Sequence, residues 1–296
     1  MNFYIVDAFT DQVFGGNPAG VVLLEAGMAF PSNELMRKTA AELRYSETAF
    51  VRPINEKEFN IRYFTPAAEV DLCGHATIAS FCALQQDGII NSGESYINDT
   101  LAGRLNIEVN DSFVMMDMGQ PQSLPKMERQ EELQELYRVM GLSYENQGVI
   151  KNTEKILLPQ LVSTGLFDIM MPVASVEELA AICPDFSALS ALSERYNVTG
   201  VHAFTVNSDD GAVHCRNFAP LYNIDEEAAT GTSNGALTYY LYVNGFIKAD
   251  QENLFIQGEA MDRPSKIISH LKEADEKIKI QVGGRGIVLA KGEIFI

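Results

Sequence analysis

The stretch GHATIASFCALQQDGII at residues 74–90 decides the fold, because the stretch GTSNGALTYYLYVNGFI at residues 231–247 repeats its pattern. Each stretch begins with glycine, continues with mostly apolar residues and reaches an Asp-Gly or Asn-Gly pair at the same spacing. A helix that is apolar on most faces is buried rather than placed on the surface. The two stretches therefore predict two buried central helices, over residues 74–87 and 231–244.

A second match lies upstream of each predicted helix. Residues 62–66 read RYFTP and residues 216–220 read RNFAP, and the loop that follows is three residues longer in the second copy, over 219–230. Helices commonly end in glycine, so matching helix ends alone carry little information. The matched Arg-x-Phe-x-Pro sequences favour a duplicated domain. Residues 120–126 contain two prolines and lie between the copies, as a linker should.

The rest of the sequence contains many short apolar segments typical of strands and few segments typical of helices. Because the two kinds of segment do not alternate strictly, the pattern indicates an α+β fold. We predict two pseudo-symmetric domains, each a curled, mostly antiparallel sheet around its central helix. The N-terminal half comprises residues 1–120 plus 283–296, and the C-terminal half comprises residues 127–282. Residues 277–282 and 286–290 are expected to form two separate strands.

The composition argues against several classes of protein. The formal net charge is −18, from 40 acidic and 22 basic residues, and a surface this acidic repels nucleic acids and anionic membranes. The sequence has no run of about 18 apolar residues that would predict a membrane helix, and no signal peptide is visible. The four cysteines form no CxxC pair. We therefore expect a cytoplasmic protein with reduced thiols and neither a zinc site nor disulfides.

The glycine at the start of each helix predicts a binding site. A helix N-terminus presents unpaired N–H groups and about half a positive charge, and glycine lets a ligand approach the backbone closely. If the helix ends at Gly74 and Gly231 face each other, they form a cleft for a carboxylate or phosphate. The alternative is that each glycine only permits a tight turn into its helix. The occurrence of two such ends favours the site.

Two side chains near these helix ends have the chemistry for proton transfer. His75 lies in the first helical turn, where it is either a general acid or base or a buried structural histidine. Glu47 follows Ser46 and precedes the apolar residues 49–51. A carboxylate beside buried residues has a raised pKa, which suits a proton shuttle, although most glutamates in such positions are solvated.

Several short sequences together resemble one protein family. In chain order they are GNPAG at 16–20, SET at 46–48, FTP at 64–66, DLCGHAT at 71–77, EAATGT at 227–232, QG at 257–258 and RPS at 263–265. Their order and coverage resemble the PhzF-like family, which is the phenazine-biosynthesis branch of the diaminopimelate epimerase fold.

The resemblance implies two pseudo-symmetric halves with the active site between them. It implies acid/base isomerisation of a small anionic substrate without cofactor or metal, and the family expectation of a homodimer. In phenazine producers a glutamate moves a proton between ring carbons of a dihydro-hydroxyanthranilate. The resemblance implies Glu47, His75 and Glu227 for catalysis and places Thr232 at the site. With Ser46 and the helix ends at Gly74 and Gly231, Thr232 is expected to bind the substrate.

Three departures from the family pattern lie in the second half. Ala228 stands where proline is usual, Glu227 where aspartate is usual, and Thr232 where serine is common. The longer Glu227 side chain and the extra methyl group of Thr232 remain compatible with proton transfer. The departures leave the identity of the substrate open.

Two other functions stay open. The related epimerases and racemases use one cysteine on each side of the substrate carbon. Cys73 occupies one such position, but its counterpart is Thr230, whose hydroxyl is far too weak an acid. A non-catalytic protein that binds small carboxylates could use the same cleft. Glu47 distinguishes this binding protein from an isomerase, because a site that only binds anions gains nothing from a carboxylate, whereas a proton shuttle needs one.

Overall fold

A computed structural model of the protein describes residues 1–111, 113–145, 147–151, 155–274 and 277–296. The chain divides into two compact units. The first consists of Met1–Asp117 together with Gly283–Ile296, and the second of Met118–Val282. Each unit has a hydrophobic core of its own, which includes Phe50 in the first and Leu136 in the second.

The first unit is built mainly of strands with two helices. Its strands are β1 (Asn2–Ala8), β2 (Asn17–Leu23), β3 (Thr48–Asn55), β4 (Glu58–Phe64), β5 (Glu69–Val70), β6 (Glu94–Thr100), β7 (Gly103–Asn110) and β8 (Phe113–Asp117). Its helices are α1 (Asn33–Leu43) and α2 (Gly74–Gln86). Helix α1 begins after Ser32, whose hydroxyl accepts a hydrogen bond from the Leu35 N–H, as an N-cap does.

The second unit adds four helices and a further set of strands. Its strands are β9 (Gln122–Lys126), β10 (Gln160–Ser163), β11 (Phe167–Pro172), β12 (Val201–Thr205), β13 (Val213–Ala219), β14 (Ile224–Glu227), β15 (Glu252–Gln257), β16 (Ser265–Ala274) and β17 (Lys277–Glu293), which continues into the first unit. Its helices are α3 (Gln130–Val139), α4 (Val176–Ala181), α5 (Phe186–Tyr196) and α6 (Gly231–Val243).

The two units repeat one order of strand pairing. In the first unit, β1–β2 is antiparallel, β2–β3 parallel, β3–β4 and β4–β5 antiparallel, β4–β6 parallel and β6–β7 antiparallel. The second unit shows the same senses in β10–β11, β11–β12, β12–β13, β13–β14, β13–β15 and β15–β16. In the chain, α2 lies between β5 and β6, and α6 lies between β14 and β15. The mixture of strands and helices is as predicted.

The prediction of two buried helices is confirmed. Every residue of α2 from His75 to Leu84 is buried, and α2 packs against β1, β2, β3 and β8. Most residues of α6 are also buried, and α6 packs against β10, β11 and β16. No helix in the described part of the chain is long and apolar enough to cross a membrane.

The matched arginines of the repeated Arg-x-Phe-x-Pro sequence bind carboxylates in both units. Arg62 donates two hydrogen bonds to Glu69, at 2.7 and 2.6 Å. Arg216 donates two to Glu226, both at 2.8 Å. In each unit the acid lies on the short strand after the arginine, so the repeat conserves an ion pair as well as a sequence pattern.

We expect Arg216→Ala to lower the free energy of unfolding by about 3–5 kcal/mol, because removing one partner leaves a largely buried charge on Glu226. Arg216 also donates to the carbonyl oxygens of Leu179, Ala180 and Ile182, which would lose that donor. Urea unfolding measures the loss. Arg62→Ala is the matched variant with a smaller expected loss. In the described part of the chain, Arg62 donates to the side chains of Glu69 and Asn33 and to no main-chain carbonyl oxygen. An equal or smaller loss for Arg216→Ala would contradict the prediction.

Three expectations about local structure are wrong. Residues 120–126 are not a linker, since β9 pairs with β10 and belongs to the second unit. The register shifts between Gln160 and Val162, opposite Pro125, and such an irregularity in the ladder tolerates proline. The loop at 219–230 contains a 3₁₀ turn and β14. The two strands expected after residue 277 are one continuous strand, β17.

Candidate active site

Three separate segments of the first unit meet at the start of α2. Helix α1 ends at Leu43 and is followed by Arg44, which adopts a left-handed conformation with φ of 62°. The chain then passes Ser46 and Glu47 before β3. His75 lies in the first turn of α2. Asn17 is the first residue of β2. Residues far apart in the sequence are thus placed around one imidazole ring.

The contacts around His75 are short and buried. Its Nε2 atom lies 3.2 Å from Glu47 Oε2 and 3.3 Å from Ser46 Oγ. Its Nδ1 atom hydrogen-bonds the Asn17 side-chain amide at 3.1 Å and lies 3.5 Å from Cys73 Sγ. Only 8% of Glu47 and 2% of His75 are exposed. The structure therefore brings together Ser46, Glu47 and His75, as the family resemblance implies.

Glu47 does not have the raised pKa that the sequence predicts. Burial raises the pKa of this carboxyl, but hydrogen bonding and charge interaction with His75 lower it by more, so the pKa lies below the usual value of 4.5. Burial lowers the pKa of His75, whereas its neighbours Cys73 and Glu47 raise it well above 6.5. The two shifts act in the same sense and favour an ionised Glu47 carboxylate beside a protonated His75.

Cys73 is a protonated thiol at neutral pH. Burial raises the pKa of this thiol to about 11, and the charge of Glu47 acts in the same direction. A thiolate base of the kind that racemases use is therefore disfavoured in the ground state of this site.

The N-termini of α2 and α6 have the same capping geometry. Cys73 precedes Gly74, and Thr230 precedes Gly231, both in extended conformation and neither with a side-chain hydrogen bond to its helix. The first N–H groups of each helix therefore lack the usual partner from the capping residue, which is what an anion-binding helix end requires.

The predicted residues of the second unit lie around the start of α6. The Thr230 hydroxyl donates a hydrogen bond to Glu227 Oε2 at 2.7 Å. Gln257 Nε2 donates to the Glu227 carbonyl oxygen at 2.7 Å and to Thr230 Oγ1 at 3.1 Å. The carbonyl oxygen of Thr232 accepts from Thr164 Oγ1 at 3.0 Å. Glu227 and Thr232 thus make hydrogen bonds within their own unit, on either side of Gly231, the first residue of α6.

A second buried polar network was missed from the sequence. Ser233 donates to Asp168 Oδ2 and accepts from Asn217 Nδ2 at 3.1 Å, and Asn217 also contacts His202 Nδ1 at 3.2 Å. Burial raises the pKa of Asp168 to about 6, although the Ser233 hydrogen bond acts against it. The sequence did contain a signal for this network, because Asp168 is a charged residue in a strand whose other residues are apolar.

The contribution of Asp168 to the stability of the protein should fall as pH rises between 3.8 and about 6. Folded Asp168 keeps its proton over this range while the unfolded chain loses it, so ionisation favours unfolding by about 3 kcal/mol. We expect Asp168→Asn to remove this fall, measured as the free energy of unfolding in urea across pH 4–7. Asp209→Asn, at an exposed position, is the control. A fall of the same size in Asp168→Asn would contradict the assignment.

Comparison with known proteins identifies the family of the chain. The sequence profile of the PhzC-PhzF family, described as phenazine biosynthesis-like protein, matches residues 6–292. An uncharacterised isomerase of Clostridium acetobutylicum is 33% identical, over 100% of this chain and 98% of that protein. A trans-2,3-dihydro-3-hydroxyanthranilate isomerase of Pseudomonas chlororaphis is 28% identical, over 100% of this chain and 99% of the other.

Among solved structures, a PhzF-family phenazine biosynthesis protein of Bacillus anthracis is similar throughout. The TM-score is 0.86 and the identity 27%, with 100% of this chain and 99% of that chain covered. The fold and the matching relatives define an enzyme of the isomerase class. The chain belongs to the PhzC-PhzF family of phenazine biosynthesis-like proteins.

Proposed function

We propose that the protein is a cofactor-independent isomerase that moves a proton within a small carboxylate-bearing substrate by general acid/base catalysis. The observation that carries the proposal is the buried carboxylate of Glu47, held 3.2 Å from His75 Nε2 at the start of α2. An ionised carboxylate in a buried position is an effective general base when substrate displaces the remaining water.

In the proposed reaction, Glu47 takes a proton from one substrate carbon and returns it to another, so the enzyme ends the cycle unchanged. The His75 imidazolium stabilises the negative charge that develops on the substrate between the two transfers. We propose that the N–H groups at Gly74 and Gly231 hold the substrate carboxylate, with hydroxyls from Ser46 and Thr232 as further hydrogen-bonding groups.

We propose that the protein consists of two pseudo-symmetric halves, residues 1–120 plus 283–296 and residues 127–282, and that both contribute residues to substrate binding. Glu227 then supplies a second carboxyl group from the C-terminal half, where it can act as an acid. We further propose a cytoplasmic homodimer that needs no metal or cofactor for the proton transfer.

The preferred substrate class is a cyclic carboxylate like the one named for the P. chlororaphis relative. An amino-acid epimerase is the second candidate, although the Thr230 hydroxyl is already engaged as a donor to Glu227, which makes it a poor replacement for a second thiol. A non-catalytic carboxylate-binding protein is the third, and the buried carboxylate of Glu47 argues against it because it would repel the ligand.

Proton nuclear magnetic resonance in deuterated water tests the proposal. Trans-2,3-dihydro-3-hydroxyanthranilate and, separately, L-proline are incubated with the protein. We expect deuterium to enter a ring carbon of the former as the double bonds shift. Exchange at the α-carbon of proline would instead support an epimerase. Saturable binding of both compounds without any exchange would overturn the enzymatic proposal in favour of a binding protein.

A further inference from the structure

Two short sequences of the family pattern, QG at 257–258 and RPS at 263–265, have no role in the proposed reaction. Both lie against the segment 227–230, which joins β14 to α6. The serine of the second sequence donates a hydrogen bond to the Ala228 carbonyl oxygen at 2.7 Å. The glycine of the first has φ of 81°, and a Cβ atom there would lie 2.7 Å from the same oxygen. The two sequences therefore fix the path of the segment that carries Glu227.

The orientation of the Gln257 side-chain amide is set by the main chain. Gln257 is fully buried. Its Oε1 atom accepts hydrogen bonds from the main-chain N–H of Thr230 at 3.2 Å and from Asn234 Nδ2 at 2.9 Å. Its Nε2 atom donates to the main-chain carbonyl oxygen of Glu227 at 2.7 Å. Because a main-chain N–H only donates and a carbonyl oxygen only accepts, the amide cannot be turned over without losing these bonds.

This orientation determines where the Thr230 hydroxyl proton points. The second N–H of Gln257 Nε2 donates to Thr230 Oγ1 at 3.1 Å, and Thr230 Oγ1 lies 2.7 Å from Glu227 Oε2. A hydroxyl group has only one proton to donate. Since Thr230 Oγ1 accepts from the amide, it donates its own proton to the carboxyl group. The hydrogen bonds thus run in one direction, from Gln257 through Thr230 to Glu227.

We propose that Gln257 and Thr230 are positioning residues, and that their hydrogen bonds direct the acidic proton of Glu227 to Oε1. The inference rests on the proposed function, in which Glu227 acts as an acid. Because Oε2 already accepts the Thr230 proton, Oε1 is the oxygen that carries the proton given to the substrate.

The proton of Glu227 returns to Oε1 within each cycle. The O–H bond at Oε1 breaks and the proton moves to the substrate while Glu47 holds the proton taken from carbon. The proton returns to Oε1 when Glu47 gives up its own. In the interval Glu227 is a carboxylate, and a hydrogen bond from a hydroxyl is stronger to a carboxylate than to a neutral acid. The Thr230 hydroxyl therefore stabilises the charged form of Glu227 and exchanges no proton itself.

Carbon-13 nuclear magnetic resonance tests this inference without substrate. The full chain is labelled at the carboxyl carbon of glutamate, and the Glu227 signal is the one missing from Glu227→Gln. Thr230 is in extended conformation, which valine also adopts, so Thr230→Val removes the donor and keeps the backbone. We expect the titration midpoint of Glu227 to rise by about one pH unit in Thr230→Val. Thr230→Ser keeps the hydroxyl and should restore the wild-type midpoint.

Two further variants separate the direction of these hydrogen bonds from general loosening of the segment. Ser265→Ala removes the hydrogen bond to the Ala228 carbonyl oxygen but leaves the donor to Glu227 in place, so the midpoint should not move. Gln257→Met removes the amide, and the midpoint should rise because the Thr230 hydroxyl can turn away from the carboxyl group. Circular dichroism checks each variant, and if Gln257→Met is unfolded the Thr230→Val and Thr230→Ser pair decides.

An unchanged midpoint in Thr230→Val would overturn the inference, as would an equal rise in Thr230→Ser or in Ser265→Ala. With substrate, we expect Thr230→Val to lower kcat about tenfold and to change KM by less than about twofold, because the hydrogen bond acts on the proton-transfer step. Midpoints that move as expected in a protein whose wild type never exchanges deuterium would confirm the hydrogen bonds and overturn the catalytic role of Glu227. The failure of the proposed function is thus distinguishable from the failure of this inference.

Discussion

Glu47→Gln should lower the rate of substrate isomerisation by about 10²–10⁴-fold, the usual contribution of a general base. Glutamine is close in size and keeps polar atoms at the same place, so the fold should persist. It cannot accept a proton, however, and the electrostatic partner of His75 is lost. We expect deuterium incorporation into the substrate to disappear together with turnover, because both require the same proton abstraction.

Glu42→Gln is the matched control, since Glu42 is an exposed glutamate on α1 and its replacement should leave turnover within about twofold of the wild type. The pH profile gives a second readout. Because His75 holds the pKa of Glu47 below 4.5, the acid limb of kcat/KM that reports this carboxylate should lie below that pH. Full deuterium exchange in Glu47→Gln would show that Glu47 is not the general base.

Gly16→Ala should lower the free energy of unfolding by about 3–5 kcal/mol. Gly16 has φ of 63°, and a Cβ atom there would lie 2.1 Å from the main-chain oxygen of Ala8. That oxygen belongs to β1, which pairs with β2 immediately after Gly16. The clash is with the backbone, so no side-chain rotation relieves it. It would also displace Asn17, and with it the hydrogen bond to His75.

Gly27→Ala separates backbone strain from the clash. Gly27 also has positive φ, at 81°, but its Cβ position is open, so only the conformational cost of about 1–2 kcal/mol is expected. Urea unfolding of both variants measures the difference. Similar losses for the two would show that the contact with Ala8 contributes nothing. A normal unfolding free energy for Gly16→Ala would contradict the described path of the chain between β1 and β2.

The sequence was a good guide to elements whose formation depends on local pattern. The two apolar helices were predicted almost to the residue. A helix that is buried on most faces is apolar at most positions, and this pattern is visible in the sequence. The paired Arg-x-Phe-x-Pro sequences were also informative, and the structure adds that both arginines bind a carboxylate. Strand β9 was mistaken for a linker because proline at an irregular point of a strand has the same local sequence pattern as proline in a loop.

The chemistry of the site depended on contacts between distant segments. From the sequence, Glu47 was a carboxylate beside apolar residues, and burial alone raises a pKa. Only the tertiary structure sets His75 at 3.2 Å, where opposite charges interact strongly enough to reverse the direction of the shift. The 3.5 Å distance between Cys73 Sγ and His75 Nδ1 is likewise set by the folded structure.

The sequence by itself therefore determined the buried central helices, the repeated motif and the family to which the chain belongs. The tertiary structure decided the direction of the Glu47 pKa shift and the partners of His75. The physical reason is that hydrophobic periodicity is a property of neighbouring residues, whereas the energy between two charges depends on a distance that the chain fixes only when it folds.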